Sequence, residues 1–351
     1  MRKLVIGNRQ IDHCSDAYVI AEIGHNHGGR LDTAIRMIDA AAECGCDAVK
    51  FQSRNNRAIY TKAFYNSPYA SRHAFGGTYG EHREALELCE HDYLQIRQRC
   101  RDRGVHFLAT AFDCDSVDML LRVGVQAIKI ASGDLTNTPL IAHAASTGLP
   151  LVLSTGGATV EDMTRADFLL SGRDAAFLHC VAQYPTPPER CNLRAIEQMA
   201  LLLWDRVIGY SCHYNGIVMA EAAYLLGARI IEKHFTLDHT AKGSDHALSL
   251  QPDGMRRMVR DLRRVRHAMG TGAKERTKEE ACALSKMEKV LYVTRPLSAG
   301  HVLTDMDLAA LSPATPEGLR PWCKEQLVGR TLVLDASTDE PISFDMVGGE
   351  A

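Results

Sequence analysis

The sequence predicts a (β/α)8 barrel followed by a small β-rich module. Three observations carry the prediction. Eight short apolar runs fall in the first 235 residues, helix-periodic stretches that stop at glycine separate them, and the texture changes after about residue 270. A length of 351 residues suffices for a barrel of ~250 residues plus a small second domain.

The eight runs are Tyr18–Glu22, Ala48–Gln52, Val105–Thr110, Ala127–Ser132, Leu151–Ser154, Ala176–Cys180, Val207–Ser211 and Ile230–His234. Each is short and largely apolar, as buried parallel strands are. Between them, Leu31–Glu43 has apolar residues at 31, 34, 35, 38, 41 and 42, which is helical spacing, and Gly45 follows. The unit recurs as Glu90–Arg103 before Gly104, Ser116–Val123 before Gly124, Pro139–Thr147 before Gly148, and Val218–Leu226 before Gly227. Such alternation predicts parallel strands with right-handed crossovers. About fifty residues separate Gln52 from Val105, too many for a plain βα unit, and a long insertion at this end of a barrel predicts an active-site lid. Pro252–Met269 predicts a last amphipathic helix. Residues 270–284 read as a Gly, Lys and Glu-rich linker, and 285–351 as the β-rich module, with strands near 291–294 and 331–334. The barrel domain is thus expected over 1–269.

Composition excludes several classes. A net charge of -3 gives no basic excess for nucleic acid or anionic membrane. No apolar run approaches the ~18 residues of a membrane span, and the N-terminal apolar stretch is too short for a signal peptide. The eleven cysteines are odd in number and scattered, so free thiols in a reducing cytoplasm are expected.

In a barrel the C-terminal ends of all eight strands face one cavity, so the residues ending the runs meet there. Lys50, Lys129, Thr110, Ser132, Ser154 and Ser211 form one set. Ammoniums neutralise charge and hydroxyls add directional hydrogen bonds, which suits a phosphate or carboxylate. His213 and His234 follow consecutive runs, and two neutral imidazoles on neighbouring strands suit a divalent metal. Glu22, Asp134, Asp245 and Tyr184 form a looser set for proton transfer, sugar hydroxyls or the metal shell. His25 and His27 are assigned first to the Gly-rich turn around them.

With these residues in view, the sequence resembles the sialic acid synthase family, the phosphoenolpyruvate-dependent N-acetylneuraminate synthase type. The resemblance runs nearly end to end. It rests on Ala21–Gly28, Asp47–Gln52, Lys129–Asp134, Leu153–Gly156, His179-Cys180 with Tyr184–Pro187, Gly209–His213 and Ile231–Asp238 taken together. It implies a barrel with a C-terminal antifreeze-like (SAF) domain, in a homodimer whose chains exchange those domains. The implied reaction joins phosphoenolpyruvate to an open-chain aldose, giving a 2-keto-3-deoxy sugar acid and phosphate. It further implies Mn2+ or Mg2+ on His213 and His234. Lys50, Thr110, Lys129, Ser132, Ser154 and Ser211 would lie around phosphoenolpyruvate, and Gln52, Tyr184 and Asp245 around the sugar. Glu22 would lie by the metal, and Asp134 would handle protons.

Departures bear on the acceptor. The family's Arg-Pro-Gly segment, whose Arg contacts an N-acetyl group, is here Leu311-Ser312-Pro313-Ala314, leaving Arg295 or Arg320 as substitutes. Residue 182 is Ala where a polar side chain is common, Ser244 replaces a frequent Pro, and Asp134 replaces a frequent Glu. The acceptor is therefore expected to differ from plain N-acetylmannosamine. One competing reading is a synthase acting on a sugar phosphate, for which the insertion offers Arg54, Arg57, Lys62, Arg72 and Arg83. The other is a non-catalytic sugar-binding protein on the same scaffold, which the presence of both histidines and both lysines disfavours.

Overall fold

The computed structural model describes residues 3–348. All eight runs are strands: β3 Tyr18–Gly24, β4 Ala48–Ser53, β5 His106–Ala111, β6 Ala127–Ile130, β7 Leu151–Ser154, β8 Ala175–Cys180, β9 Val207–Cys212 and β10 Ile230–His234. They pair in parallel and in chain order, and β10 closes back on β3 into a barrel. Helices lie between them, including Leu31–Glu43, Glu90–Arg103, Cys114–Val123, Thr138–Ser146, Val218–Leu225 and a last one at Pro252–Ala268. Gly104 and Gly124 end two of these in the left-handed region, at φ 69 and 87, where a Cβ would be strained.

The strands have two buried faces, and the period of two sorts them. Val19, Val49, Phe107, Ile128, Leu153, Phe177, Ile208 and Ile231 pack outward against the helices. Tyr18, Ile20, Ala48, Leu108, Ala127, Val152, Ala176, Leu178, Val207 and Ile230 form a separate inner core. That core also holds Leu4, Ile6 and Ile11. These come from an antiparallel hairpin, β1 Lys3–Ile6 and β2 Arg9–Asp12, which the sequence reading did not anticipate. The Gly7-Asn8 pair between alternating apolar residues was its signal. The hairpin adds its side chains to the strand-start layers, so the cavity at the other end is a pocket and not a pore.

The chain divides into two compact units, 1–270 and 271–351. The second has its own core, including Leu291, Val293, Leu303, Leu327, Leu332 and Ile342. Its strands are β11 Val290–Val293 with β12 Leu308–Leu311, and β13 Thr331–Leu332 with β14 Val347–Gly348, both pairs antiparallel. The 270–284 stretch is not wholly linker. A helix spans Lys278–Met287, started by a capping box between Thr277 and Glu280, a signal that a composition-based reading passes over. No helix of the described residues is long and apolar enough to cross a membrane.

Gly209 faces the inner core, where an added Cβ would lie 2.4 Å from Leu178 Cδ2 and 2.5 Å from the Ile230 carbonyl oxygen. Gly209→Ala is expected to cost about 1–3 kcal/mol through overpacking. The urea midpoint followed by far-UV circular dichroism reads it, and an unchanged midpoint would show that β9 accommodates the methyl group.

Candidate active site

The inward-facing positions continue up each strand, and near the C-terminal ends they turn polar. Glu22 follows Ile20, Lys50 follows Ala48, Thr110 follows Leu108, Lys129 follows Ala127, Ser154 follows Val152, and Glu232 follows Ile230, each two residues on. Strand register then sets neighbours: Glu22 beside Lys50, Thr110 beside Lys129, Ser211 beside Glu232. The result is a cavity of about 580 Å3, inside the ~300–1,000 Å3 range of ligand pockets.

Four charges sit at its centre. Lys50 Nζ lies 2.6 Å from Glu22 Oε2 and 3.8 Å from Glu232 Oε2, and it donates to Thr110 Oγ1 at 2.9 Å. Lys129 Nζ donates to Ser154 Oγ at 2.5 Å and to the Ile130 carbonyl at 3.0 Å. Ser211 Oγ donates to Glu232 Oε1 at 3.0 Å. All are buried. Burial works against charge on Lys50, but Glu22 and Glu232 outweigh it and its pKa is raised. Lys129 goes the other way, lowered by burial and by the repulsion of Lys50. Burial also opposes charge on Glu232, yet the two lysines hold its carboxyl well below the usual range. The sequence reading omitted Glu232. The signal was its place in Ile230-Ile-Glu-Lys-His234, where inward residues are 230, 232 and 234 and Lys233 points to the helix side.

Lys50, Thr110, Lys129, Ser132, Ser154 and Ser211 all line the cavity, as do Glu22, Gln52, Tyr184, His213, His234 and Asp245. Ser132 Oγ accepts from the Gly156 backbone N–H at 3.0 Å. Gln52 Nε2 donates to Glu22 Oε1 at 2.8 Å. Asp134 does not reach the wall. It accepts from Asn137 at 3.1 Å in the turn after β6, next to Ser132 and Gly133, which face the cavity. Arg295 and Arg320 are engaged within the C-terminal unit, by Asp307 and Glu288 respectively. Ser312 donates to the Met287 carbonyl.

The imidazoles of His213 and His234 are 5.5 Å apart between ring centres, and the Tyr184 ring lies 3.9 Å from that of His213. His213 Nδ1 faces the Val181 carbonyl at 2.8 Å, which places the proton there and leaves Nε2 with its lone pair. Burial, then the neighbouring His234, holds His213 near 4, so it is neutral at pH 7. His234 Nδ1 is buried with no hydrogen-bond partner, 3.9 Å from Asp245 Oδ2. Among the described residues no further His, Cys, Asp or Glu closes with this pair into a three-ligand group. Two facing imidazoles, one with an orphaned nitrogen, and open remaining positions fit a catalytic divalent ion.

His27 is buried and His25 partly buried, and of the two it is His25 that lines the cavity. His27 Nδ1 accepts from the Gly29 N–H at 3.1 Å, in keeping with a structural place in the turn.

A closed parallel barrel whose strand ends bring cations, hydroxyls and an imidazole pair to one cavity has the form of an enzyme active site. The chain matches the NeuB family over residues 37–274 and the SAF domain over 288–348. It is 37% identical over 364 residues to the N-acetylneuraminate-9-phosphate synthase of Drosophila melanogaster, covering 96% of this chain and 97% of that one. It is 36% identical over 332 residues to the Homo sapiens enzyme of the same name, covering 94% and 92%. Among solved structures, the N-acetylneuraminic acid (sialic acid) synthetase of Leptospira borgpetersenii serovar Hardjo-bovis, in complex with citrate, gives a TM-score of 0.71 at 32% identity, over 81% of this chain and 95% of that one. The chain belongs to the NeuB family and is a transferase of the sialic acid synthase type.

Two outcomes follow from these environments. Replacing Glu232 by Gln removes the charge that supports both lysines. kcat/KM is expected to fall at least about tenfold, roughly 1.4 kcal/mol, and the basic limb of the pH–rate profile to move to lower pH. A basic limb that stays in place would show that Glu232 does not hold a lysine protonated. His27 is held near 3 by burial, against about 6.5 when unfolded. Between those values the unfolded chain binds a proton that the native chain does not, so stability falls as pH drops from 6.5 toward 3. Urea titrations at pH 7 and pH 5 should show a loss smaller by about 2 kcal/mol in His27→Asn. An equal loss in both proteins would place the pH sensitivity elsewhere.

Proposed function

We propose that this protein condenses phosphoenolpyruvate with an open-chain aldose to give a 2-keto-3-deoxy sugar acid and phosphate. The observation that carries the reading is the strand-end cavity in which Lys50 and Lys129 converge with four hydroxyl residues beside His213 and His234.

Lys50, Lys129, Thr110, Ser132, Ser154 and Ser211 would hold the phosphate and carboxylate of the donor. Their fixed ammoniums and hydroxyls meet charge as it develops at C2, without waiting for solvent to reorganise. C3 of the enolpyruvate forms the new bond to the aldehyde carbon, whose oxygen gains a proton. Water adds at C2, the C2–O bond to phosphate breaks, and the tetrahedral centre collapses to the ketone. A divalent ion, Mn2+ or Mg2+, held by His213 and His234 would supply Lewis acidity toward the aldehyde oxygen. Tyr184 packs on His213 and fixes its ring plane, and Asp245 faces His234. Glu22, tied to Lys50 and Gln52, holds the junction between donor and sugar. Gln52, Tyr184 and Asp245 would meet the sugar. A homodimer with exchanged C-terminal units belongs to the same proposal. The relatives' names divide between a phosphorylated and an unphosphorylated product, so they leave the acceptor's far end to be read from this cavity.

Phosphate release from phosphoenolpyruvate with Mn2+ and a panel of aldoses, with a product mass equal to aldose plus pyruvate, tests the reading. No release with any acceptor would favour a sugar-binding protein. His213→Ala and His234→Ala are each expected to lower metal-dependent turnover at least about a hundredfold, ~2.7 kcal/mol, with the circular dichroism spectrum retained. Full activity in either would overturn the metal assignment.

A further inference from the structure

We propose that the mouth of this cavity carries a second anion subsite, built by Arg54 and Arg83, that takes a phosphate on the far end of the acceptor sugar. The inference rests on the condensation reading and extends it to the acceptor's chemistry.

Five basic residues of the insertion were candidates, and the structure separates them. Arg57, Lys62 and Arg72 are exposed and lie off the cavity, whereas Arg54 and Arg83 line it. Arg54 continues the inward ladder of β4. Ala48, Lys50, Gln52 and Arg54 are spaced by two, so the ladder climbs from the inner core through the donor site and the sugar position to the mouth. From Lys50 to Arg54, the first residue past the end of β4, an extended chain rises about 13 Å, a span suited to an extended six-carbon chain with an end group. The insertion then folds over this point and brings Arg83 in on the short helix Tyr79–Glu84.

Neither guanidinium is fully compensated. Arg54 is 8% exposed, and its plane lies 4.1 Å from the Phe112 ring centre. Its Nη2 donates to Gln52 Oε1 at 2.6 Å, but its Nε, 3.7 Å from Glu87 Oε1, has no hydrogen-bond partner. Glu87 is itself pushed up to about 7 by burial, so near neutral pH it carries only part of a charge. Arg83 donates from Nε and Nη2 to the Tyr79 hydroxyl at 3.0 and 2.8 Å, and among the described residues it has no carboxylate within 4.0 Å.

A guanidinium only donates, whereas a sugar hydroxyl both donates and accepts. A neutral sugar end would therefore be served by mixed partners, as Gln52 and Asp245 provide elsewhere on the cavity wall. Two under-compensated guanidiniums at the mouth match a dianionic tetrahedral group, which accepts from several donors at once.

A matched pair of acceptors tests the proposal: N-acetylmannosamine and its 6-phosphate, each with phosphoenolpyruvate and Mn2+. The wild type is expected to favour the ester at least a hundredfold in kcat/KM. In Arg83→Ala that preference should shrink at least thirtyfold, with partial recovery in Arg83→Lys. No preference in the wild type, or a preference unchanged in Arg83→Ala because both substrates lose equally, overturns the subsite. Calorimetric titration of the ester separates this from failure of the reaction itself. If nothing is turned over but the ester binds, and binds at least tenfold more weakly to Arg83→Ala, the subsite stands and the condensation reading falls. No binding of the ester to the wild type and no turnover overturns both.

Discussion

The cavity depends on four charges that share the centre of the barrel. An isolated ammonium there would lose its proton or cost several kcal/mol. Lys50 avoids both fates because Glu22 lies 2.6 Å away and Glu232 is close behind. The four residues form one unit, since removing any one leaves an uncompensated buried charge, a loss of about 3–5 kcal/mol in comparable pairs. That constraint explains why the polar layer appears on neighbouring strands at one height. Parallel register sets Glu22 beside Lys50 and Ser211 beside Glu232.

The same balance shapes the chemistry. Two lysines and two glutamates are close to neutral together, so a donor carrying both phosphate and carboxylate brings excess negative charge. In the proposed reading, the imidazole pair at the ends of the adjacent β9 and β10 is where an added divalent cation would meet it. The hydroxyls of Thr110 and Ser154 already accept from the lysines and aim them. The part of the cavity proposed for the acceptor is built differently. Gln52 and Tyr184 are polar but uncharged, and the next charges appear at Asp245 and in the insertion.

Much of this was legible in the sequence because parallel strands buried on both faces read as apolar runs, and glycine marks the ends of helices. Polar residues at the run ends placed Lys50, Lys129, Ser154, Ser211 and both histidines on the cavity wall. Glu232 was missed because the residues were read by run and not by alternate position. Asp134 lies past the strand end, where the turn and not the pleat sets direction, and Asn137 holds its carboxylate beside the cavity wall. Arg54 follows the alternation of β4, but the placing of Arg83 inside and of Arg57, Lys62 and Arg72 outside could not be read from spacing. It arises from aromatic packing of Tyr60, Phe64, Tyr69, Tyr79 and His82, which fixes how that segment folds.

The central claim is that the buried lysine–glutamate layer is the donor site. Calorimetric titration of phosphoenolpyruvate into the Mn2+-loaded protein, comparing the wild type with Lys129→Met, addresses it most directly. The account predicts binding by the wild type and at least about thirtyfold weaker binding by the variant, near 2 kcal/mol, with near-UV circular dichroism unchanged. Equal affinity in a folded Lys129→Met protein would contradict it and place the donor elsewhere.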